Sequence, residues 1–548
     1  MMSVFNLSGQ RRRVIRENIV AYLFLTPALT LIMTFGILPV AFALFVSLHR
    51  WRRFPEEFIG LDNYQRALGD FAYVVFIWIA VGAAAYAVAI LWRFIKQNRG
   101  QPAQYLYLIP GVAAAGAAAL IVNWVVIWLP IVLDIPQRLR AQARSGELFI
   151  GELITSFQTP QVVEAANWML LGILAAIILA GLCFWAIKSE RPEKLLTQAA
   201  SAFFLLIIAA FTLQLTVSEV ILAIETARAA GNELPIWTQA VMISAGVIML
   251  GAAYLLWRSA NRGGNWRFVL QFAAASMLMV GGYAFVGELP MLLSGSDDDL
   301  LRGFNITLMY TLGTVPVQLM FGLLLAYLLF QKIKFQSFFR MIYFLPYVTP
   351  FVATSIVFGI LFSHRPTSPV NQLLTALGIP IQKWLLEPTG IFKLIFGPQV
   401  PDILSGPSLA LVVIIIYSSW TYIGYSTVLF LAGLGNISGE LYEAARIDGA
   451  NEWNVFRRIT LPMLSPTTFF LTLITIIGTL QSFTQIWILR TPAASSSVDT
   501  VGVYIYETIS QSTPNMGYGS ALSLVLFTVI LIFTLVQNRI SRDRVFYG

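Results

Sequence analysis

The residues whose spacing carries the most chemistry lie between Glu440 and Leu464, in ELYEAARIDGANEWNVFRRITLPML. Glu443 offers a carboxylate for charge-assisted pairing with a basic partner. Ala444 and Ala445 beside it have no bulk to prevent close docking. Gly449 stands where a helix ends or turns, because glycine accepts positive φ without steric cost. The spacing predicts one or two helical turns over 440–447, a turn at Gly449, and a second helix over 450–459 that Pro462 stops. Ile459, Leu461 and Pro462 anchor this second helix to the membrane boundary. Runs long enough to cross a bilayer flank the stretch on both sides, so it is a compact helix-turn-helix held between two spans.

The elements that must position this loop can be read from composition. The chain has 548 residues, 57% hydrophobic and only 11% charged, with a mean hydropathy of +0.75, far from soluble-globular averages. About 20 apolar residues span a bilayer, and such runs recur here, so the expectation is an all-α polytopic membrane protein. The short alternating strands of a β-barrel are absent. The net charge of +8 does not point to nucleic acid, because the basic residues cluster on alternate loops as the positive-inside rule requires. Arg11-Arg12-Arg13 and Arg16 open the chain ahead of a run too long, and too poor in small residues at its end, for a cleavable signal; an uncleaved first span is expected.

Twelve spans with both termini cytoplasmic are predicted, at about 19–48, 72–94, 105–129, 168–187, 199–224, 237–257, 268–289, 304–330, 341–362, 409–434, 467–489 and 521–537. Basic residues mark the inside loops: Arg93, Lys96 and Arg99; Lys188, Arg191 and Lys194; Arg258, Arg262 and Arg267; Lys332, Lys334 and Arg340; Arg446, Arg457 and Arg458; Arg539, Arg542 and Arg544. One external loop breaks the pattern, with Arg50, Arg52, Arg53 and Arg66.

At residues 440–464 the chain resembles a known family. Glu443-Ala444-Ala445, three residues, Gly449, nine residues, Ile459, one residue, Leu461-Pro462 is similar, without a gap, to the EAA loop of importer-type ABC permeases. The flanking ELYEAARIDGA resembles the carbohydrate-uptake branch, the maltose and glycerol-phosphate type permeases. GLDNY (Gly60 to Tyr64) and FFRMIYFLPYVTPFV (Phe338 to Val352) resemble the same branch, and from Phe304 its pattern holds to the C-terminus. The resemblance implies a six-helix permease core interrupted by about six extra helices: 1–71 with the first core span, an inserted region at 72–297, and 298–548 with the coupling loop. It implies a permease subunit of the bacterial plasma (inner) membrane that forms half of a pathway for a sugar or oligosaccharide. Its implied partners are a second permease, an extracellular or periplasmic sugar-binding protein, and a cytoplasmic ATPase dimer whose cleft receives the loop, with 443–445, 449, 459, 461 and 462 as the coupling residues. ATP and Mg would then belong to that ATPase. This chain has no Gly-x-x-x-x-Gly-Lys-Ser/Thr phosphate loop, and no cofactor of its own is expected.

A substrate path is expected near the bilayer midplane. Gln481, Ser482 and Gln485 form a polar cluster deep in an apolar span, which by order along the chain corresponds to the stretch lining the sugar site in maltose-type permeases. Before the loop, Trp420, Tyr422 and Tyr425 could stack on sugar rings while Ser418 and Ser426 hydrogen-bond. Alternatively these groups pack between helices or form an interface belt. The core spans lack Arg and Lys, which favours a neutral substrate.

No catalytic or metal constellation is read. His49 and His364 lie in predicted external loops, Cys183 is a small core residue, and Asp297-Asp298-Asp299 lacks the spaced loop of a calcium site. A secondary transporter driven by an ion gradient would want intramembrane acid or histidine relays, which the core spans lack. A membrane enzyme or sensor built on the inserted spans would want clustered His, Cys or acids there, and none is found. Glu219 and Glu225 lie near one span's external end, close enough to its boundary to reach water.

Overall fold

A computed structural model describes residues 9–139, 146–187, 191–231, 236–260, 267–331 and 334–541. Among them ten helices are long and apolar enough to cross a membrane, and two bent helix pairs bring the number to twelve if each pair is one span. Lipid offers no partner for backbone amides, so a spanning chain must satisfy them within its own helices. That is why nearly every apolar run is helical and the chain is an all-α polytopic membrane protein. Of the basic loop residues, Lys188, Arg262, Lys332, Arg542 and Arg544 lie outside the described residues.

The chain divides into two compact units, one built from 1–296 with 512–521 and the other from 297–511 with 522–548. The first opens with α1 (Gly9–Ile32) and α2 (Leu38–Ser47), joined by a π-helical turn at Met33–Ile37. Pro39 explains the turn, since it lacks an amide hydrogen and its ring crowds the carbonyl four residues back. A short antiparallel pair comes next, β1 (His49–Trp51) with β2 (Pro55–Phe58), then α3 (Asp62–Leu68). The long helices α4 (Phe71–Gln97), α5 (Leu108–Arg138), α7 (Pro160–Ala186), α8 (Pro192–Ala229), α9 (Ile236–Ala260) and α10 (Arg267–Leu292), with the shorter α6 (Gly146–Ser156), complete the unit. Helix α8 packs on α4 and α5, α5 on α7, and α9 on α10. Small residues line these seams: Ala72, Ala80 and Ala87 of α4, and Ala199, Ala202 and Ala209 of α8, are all buried. In lipid, close backbone approach of this kind replaces the hydrophobic drive that packs helices in water.

The second unit contains α11 (Asp298–Phe330), α12 (Gln336–Val348), α13 (Phe351–Leu361), α14 (Pro369–Ala376), α15 (Ile391–Phe396) and α16 (Leu409–Gly435). It continues with α17 (Gly439–Ile447), α18 (Glu452–Val455), α19 (Leu461–Met463), α20 (Ser465–Leu480), α21 (Thr484–Leu489), α22 (Ser495–Val498) and α23 (Val501–Ser510). Helix α24 (Met516–Ser541) begins in the first unit and ends in the second. Asp297 caps α11 by accepting from the amides of Asp299 and Leu300 at 3.0 and 3.3 Å, which gives the acidic run a role at a helix start. No group of three metal-ligating side chains occurs among the described residues.

Two expected spans are broken. The run at 341–362 bends by 94° between α12 and α13, because Pro350 cannot donate and pushes Thr349 into an extended conformation. The run at 467–489 stops at Leu480 and restarts at Thr484. Helix α12 lies directly on α16, where a Cβ on Gly424 would collide with the Tyr343 carbonyl.

After α21 the chain is held by ion pairs. Arg490 Nε lies 2.8 Å from Asp499 Oδ1 and its Nη2 lies 2.6 Å from Glu507 Oε1, with the guanidinium 5.1 Å from the Trp487 ring. Burial pushes the Asp499 pKa from the ordinary 3.8 to about 6; Arg490 opposes the shift, while Glu507 and Asp299 add to it. A carboxyl group that binds its proton more tightly when folded favours the folded state at low pH, and that advantage is lost as pH rises through the window. Between pH 5 and pH 7 the melting temperature should therefore fall more for the wild type than for Asp499→Asn. Identical pH dependence in the two proteins would place the titrating group elsewhere.

Candidate functional site

The loop at 440–464 is more structured than its sequence suggests. Ser438 caps α17, accepting from the Glu440 amide at 3.3 Å. The far end closes with two crossed backbone bonds, Ala450 N–H to Ala445 O at 2.9 Å and Gly449 N–H to Arg446 O at 3.1 Å. This is a Schellman close, with Gly449 at φ +74° in the left-handed position it requires. The interval between the alanine pair and the glycine thus has a physical cause, because the six-residue bond must start at Ala445 and end one past Gly449.

The second half departs from a simple helix. α18 passes into a π-helical turn at Phe456–Thr460, and α19 continues through Leu461–Met463 with Pro462 inside it. Pro462 therefore does not stop the helix; the looser turn before it absorbs the missing amide, and the chain bends by 61° into α20. Tyr442 Oη and Thr460 Oγ1, 3.3 Å apart, tie the two halves together. Beneath them Phe430, Leu434, Ile437, Leu464 and Leu471 form a buried cluster with Tyr442 and Met463 packed on it.

The predicted residues of this loop divide by face. Ala445 is buried, Ile459 and Pro462 are half-buried, and Glu443, Ala444, Gly449 and Leu461 are exposed. Two apolar side chains that the sequence pattern did not single out stand out further: Ile447 is 87% exposed and Trp453 64%. Both interrupt a polar loop, which was the available signal. Arg446 and Glu452 lie 3.8 Å apart and mostly in the open, a pairing worth little.

The second constellation surrounds the break after Leu480. A cavity of about 200 Å³ is lined by Tyr310 and Gln318 of α11, Tyr347 of α12, Tyr422 and Tyr425 of α16, and Ile474, Thr475, Gly478, Thr479 and Ser482 from α20 and its end. Tyr347 and Tyr425 stack at 4.9 Å, and Tyr422 meets the Tyr347 ring edge at 5.9 Å. Tyr310 Oη donates to Ser418 Oγ at 2.8 Å and accepts from Gln485 Nε2 at 3.0 Å, and Ser482 Oγ lies 3.2 Å away. Gln318 Nε2 donates to Ser426 Oγ at 2.8 Å, which leaves its amide oxygen free to accept.

Of the residues expected along a path, Tyr422, Tyr425 and Ser482 line the cavity, and Gln485 stands behind it, bonded to Tyr310 and Ser482. Gln481 is exposed and outside the lining. Trp420 faces another hollow, with Phe358, Val357 and Thr354. Ser418 and Ser426 are the buried partners of Tyr310 and Gln318. The sequence pattern passed over Tyr310, Gln318, Tyr347, Thr475 and Thr479. Their signal was polar residues at helical spacing, with Thr307, Thr311, Thr314 and Gln318 along one apolar run and Thr475, Thr479 and Ser482 along another.

A helix Schellman close needs positive φ at C′, and a β-branched residue there is strained by about 1–2 kcal/mol. Gly449→Val should therefore loosen 440–455, read as faster amide exchange confined to that loop, while Gly449→Asn should retain most of its protection. Unchanged exchange in the valine variant would remove the Schellman explanation.

Residues 318–545 match the model of a family described as binding-protein-dependent transport system inner membrane component. An arabinooligosaccharides transport system permease protein, AraP of Bacillus subtilis, is 34% identical over 238 residues, covering 43% of this chain and 69% of that protein. A lactose transport system permease protein, LacF of Rhizobium radiobacter, is 33% identical over 252 residues, covering 45% of this chain and 78% of the relative. Among solved structures, a bacterial alginate ABC transporter in complex with an alginate-bound periplasmic protein aligns with a TM-score of 0.39 at 24% identity, covering 45% of this chain and 80% of that one.

Proposed function

The chain belongs to the family of binding-protein-dependent transport system inner membrane components, and on that basis we propose that it is a permease subunit of an ATP-driven importer for a neutral sugar or oligosaccharide. The observation that carries the substrate class is the chemistry of the cavity at the α20 break. Four tyrosines, an amide oxygen, two threonines and a serine line it, with no charged side chain among them. Aromatic faces stack on the apolar face of a sugar ring, and hydroxyls that both donate and accept suit a ligand made of hydroxyls. The named substrates of the two relatives, arabinooligosaccharides and lactose, are carbohydrates too.

In this reading the loop at 440–464 is the coupling element. A cytoplasmic ATPase dimer, which binds ATP and Mg, receives it in a cleft, with Glu443 pairing a basic residue there and Ala444 allowing close approach. Ile447 and Trp453 add apolar contact. The Schellman close and the Tyr442–Thr460 bridge make the loop stiff enough to pass on a displacement. A second permease completes the pathway, a binding protein delivers the sugar, and both termini are cytoplasmic. Residues 72–297 form an insertion of about six spans between the first core span and the rest; their even number leaves the coupling loop on the side its family position requires.

Two measurements on the reconstituted importer test this. Tyr347→Ala and Tyr422→Ala should each raise the KM for sugar-stimulated ATP hydrolysis about threefold to tenfold, the effect of losing about 1 kcal/mol of ring stacking, and leave assembly intact. A KM within experimental error of wild type would move the sugar site elsewhere. For the loop, Glu443→Ala and Ile447→Asp should abolish co-purification of the ATPase or uncouple hydrolysis from uptake in a permease that still inserts; full transport by both variants would reduce the loop to a connector.

A further inference from the structure

Four arginines gather at one end of the first unit. The β1–β2 hairpin carries Arg50, Arg52 and Arg53, and α3 carries Arg66. Two hollows of about 430 Å³ each open there, and Arg52 lines both. Arg50 pairs with Glu57, Arg53 Nη2 donates to the Ser512 carbonyl at 3.2 Å, and Arg66 lies over the Tyr518 ring at 4.2 Å. Arg52 has neither an ion-pair nor a hydrogen-bond partner among the described residues, although Glu56 and Asp62 also border these hollows. Three guanidinium groups thus face two carboxylates once the Arg50–Glu57 pair is set aside.

The level of this cluster says what meets it. α2 ends at Ser47, α5 ends at Arg138, and α24 begins at Met516. The hollows are lined by residues at these ends, Gln137 and Ser512 to Asn515 among them. Three spans that reach their limits together mark the boundary of the hydrocarbon, where lipid phosphates lie. On the apolar side Trp51 is buried against Phe42 and Phe45, and Leu38, Phe42 and Leu44 of α2 present exposed apolar surface along which acyl chains can lie. Four arginines in one expected external loop, against at most three basic residues in any other, run against the positive-inside rule, so topology does not account for them.

We propose that the hairpin arginines form a headgroup site for an anionic phospholipid, with the Arg52 guanidinium gripping the phosphate and Arg53 and Arg66 flanking it. Arginine suits the role because its planar fork binds phosphate oxygens in pairs. The site would tie the hairpin, and through Ser512 the start of α24, to one leaflet.

The test is native mass spectrometry of the assembled importer in detergent with added phosphatidylglycerol, phosphatidylcholine or inorganic phosphate. Phosphatidylglycerol adducts on the wild type should fall about tenfold in Arg52→Gln and in the Arg52→Gln/Arg53→Gln double variant, and less in Arg52→Lys, which keeps the charge but loses the fork. Arg52→Gln breaks no bond within the protein, so its effect is separable from misfolding; both variants should elute as intact complexes. Equal adducts on wild type and Arg52→Gln would overturn the proposal. So would equal retention of phosphatidylcholine, or displacement of the lipid by inorganic phosphate at the same concentration, which would make this a free-anion site.

Discussion

The constraint on which everything else depends is the need of a backbone in lipid to satisfy its own amides and carbonyls. Where the chain obeys it, the spans run as unbroken helices of 24 residues or more. Where it does not, a specific polar group answers for the break. At the end of α20, Thr500 Oγ1 donates to the Ser482 carbonyl at 3.2 Å, and the Ser482 side chain joins Tyr310 and Gln485. The opening in the helix that would be intolerable against lipid becomes tolerable against α11 and α23. A cavity able to present hydroxyls appears in the same place for the same reason.

Tyr310 is the centre of that arrangement. It is buried, and its single hydroxyl brings together α16 through Ser418 and the α20–α21 break through Ser482 and Gln485. Removing this hydroxyl takes a bond from Ser418, Ser482 and Gln485 at once in a medium of low dielectric. Thr354, bonded at 2.8 Å to the hydroxyl of Tyr417, performs a similar task between α13 and α16. These side-chain bonds connect helices that lipid does not drive together, and those of Tyr310 hold its ring against the cavity.

The loop at 440–464 solves a different problem. It has little core of its own, so rigidity comes from capping at Ser438, the crossed bonds around Gly449 and the buried cluster of Leu434, Leu464 and Leu471 beneath it. Its exposed side chains include Glu443, Ile447 and Trp453.

Much of this was legible in the chain itself. Among the described residues hydropathy found the ten long helices, because a run of apolar residues in lipid has hardly any option but a helix. The interval from Ala445 to Gly449 marked a helix end, because the six-residue bond of a Schellman close fixes it. What the linear order did not reveal were the breaks and what they expose. Pro350 was visible, but neither the 94° angle of the bend nor the seat of α12 on α16 at Gly424 follows from it alone. The polar cluster at 481–485 was visible too, but which member faces the cavity, which supports it and which looks away depends on residues more than a hundred positions distant. Tyr310, Gln318 and Tyr347 meet Ser482 through helix contacts that no local pattern encodes. Local order along the chain was enough for the helices, the turn at Gly449 and the chemical character of the core. Which hydroxyls and rings share one space was settled only when distant helices packed, because a side chain's facing depends on the neighbour it meets.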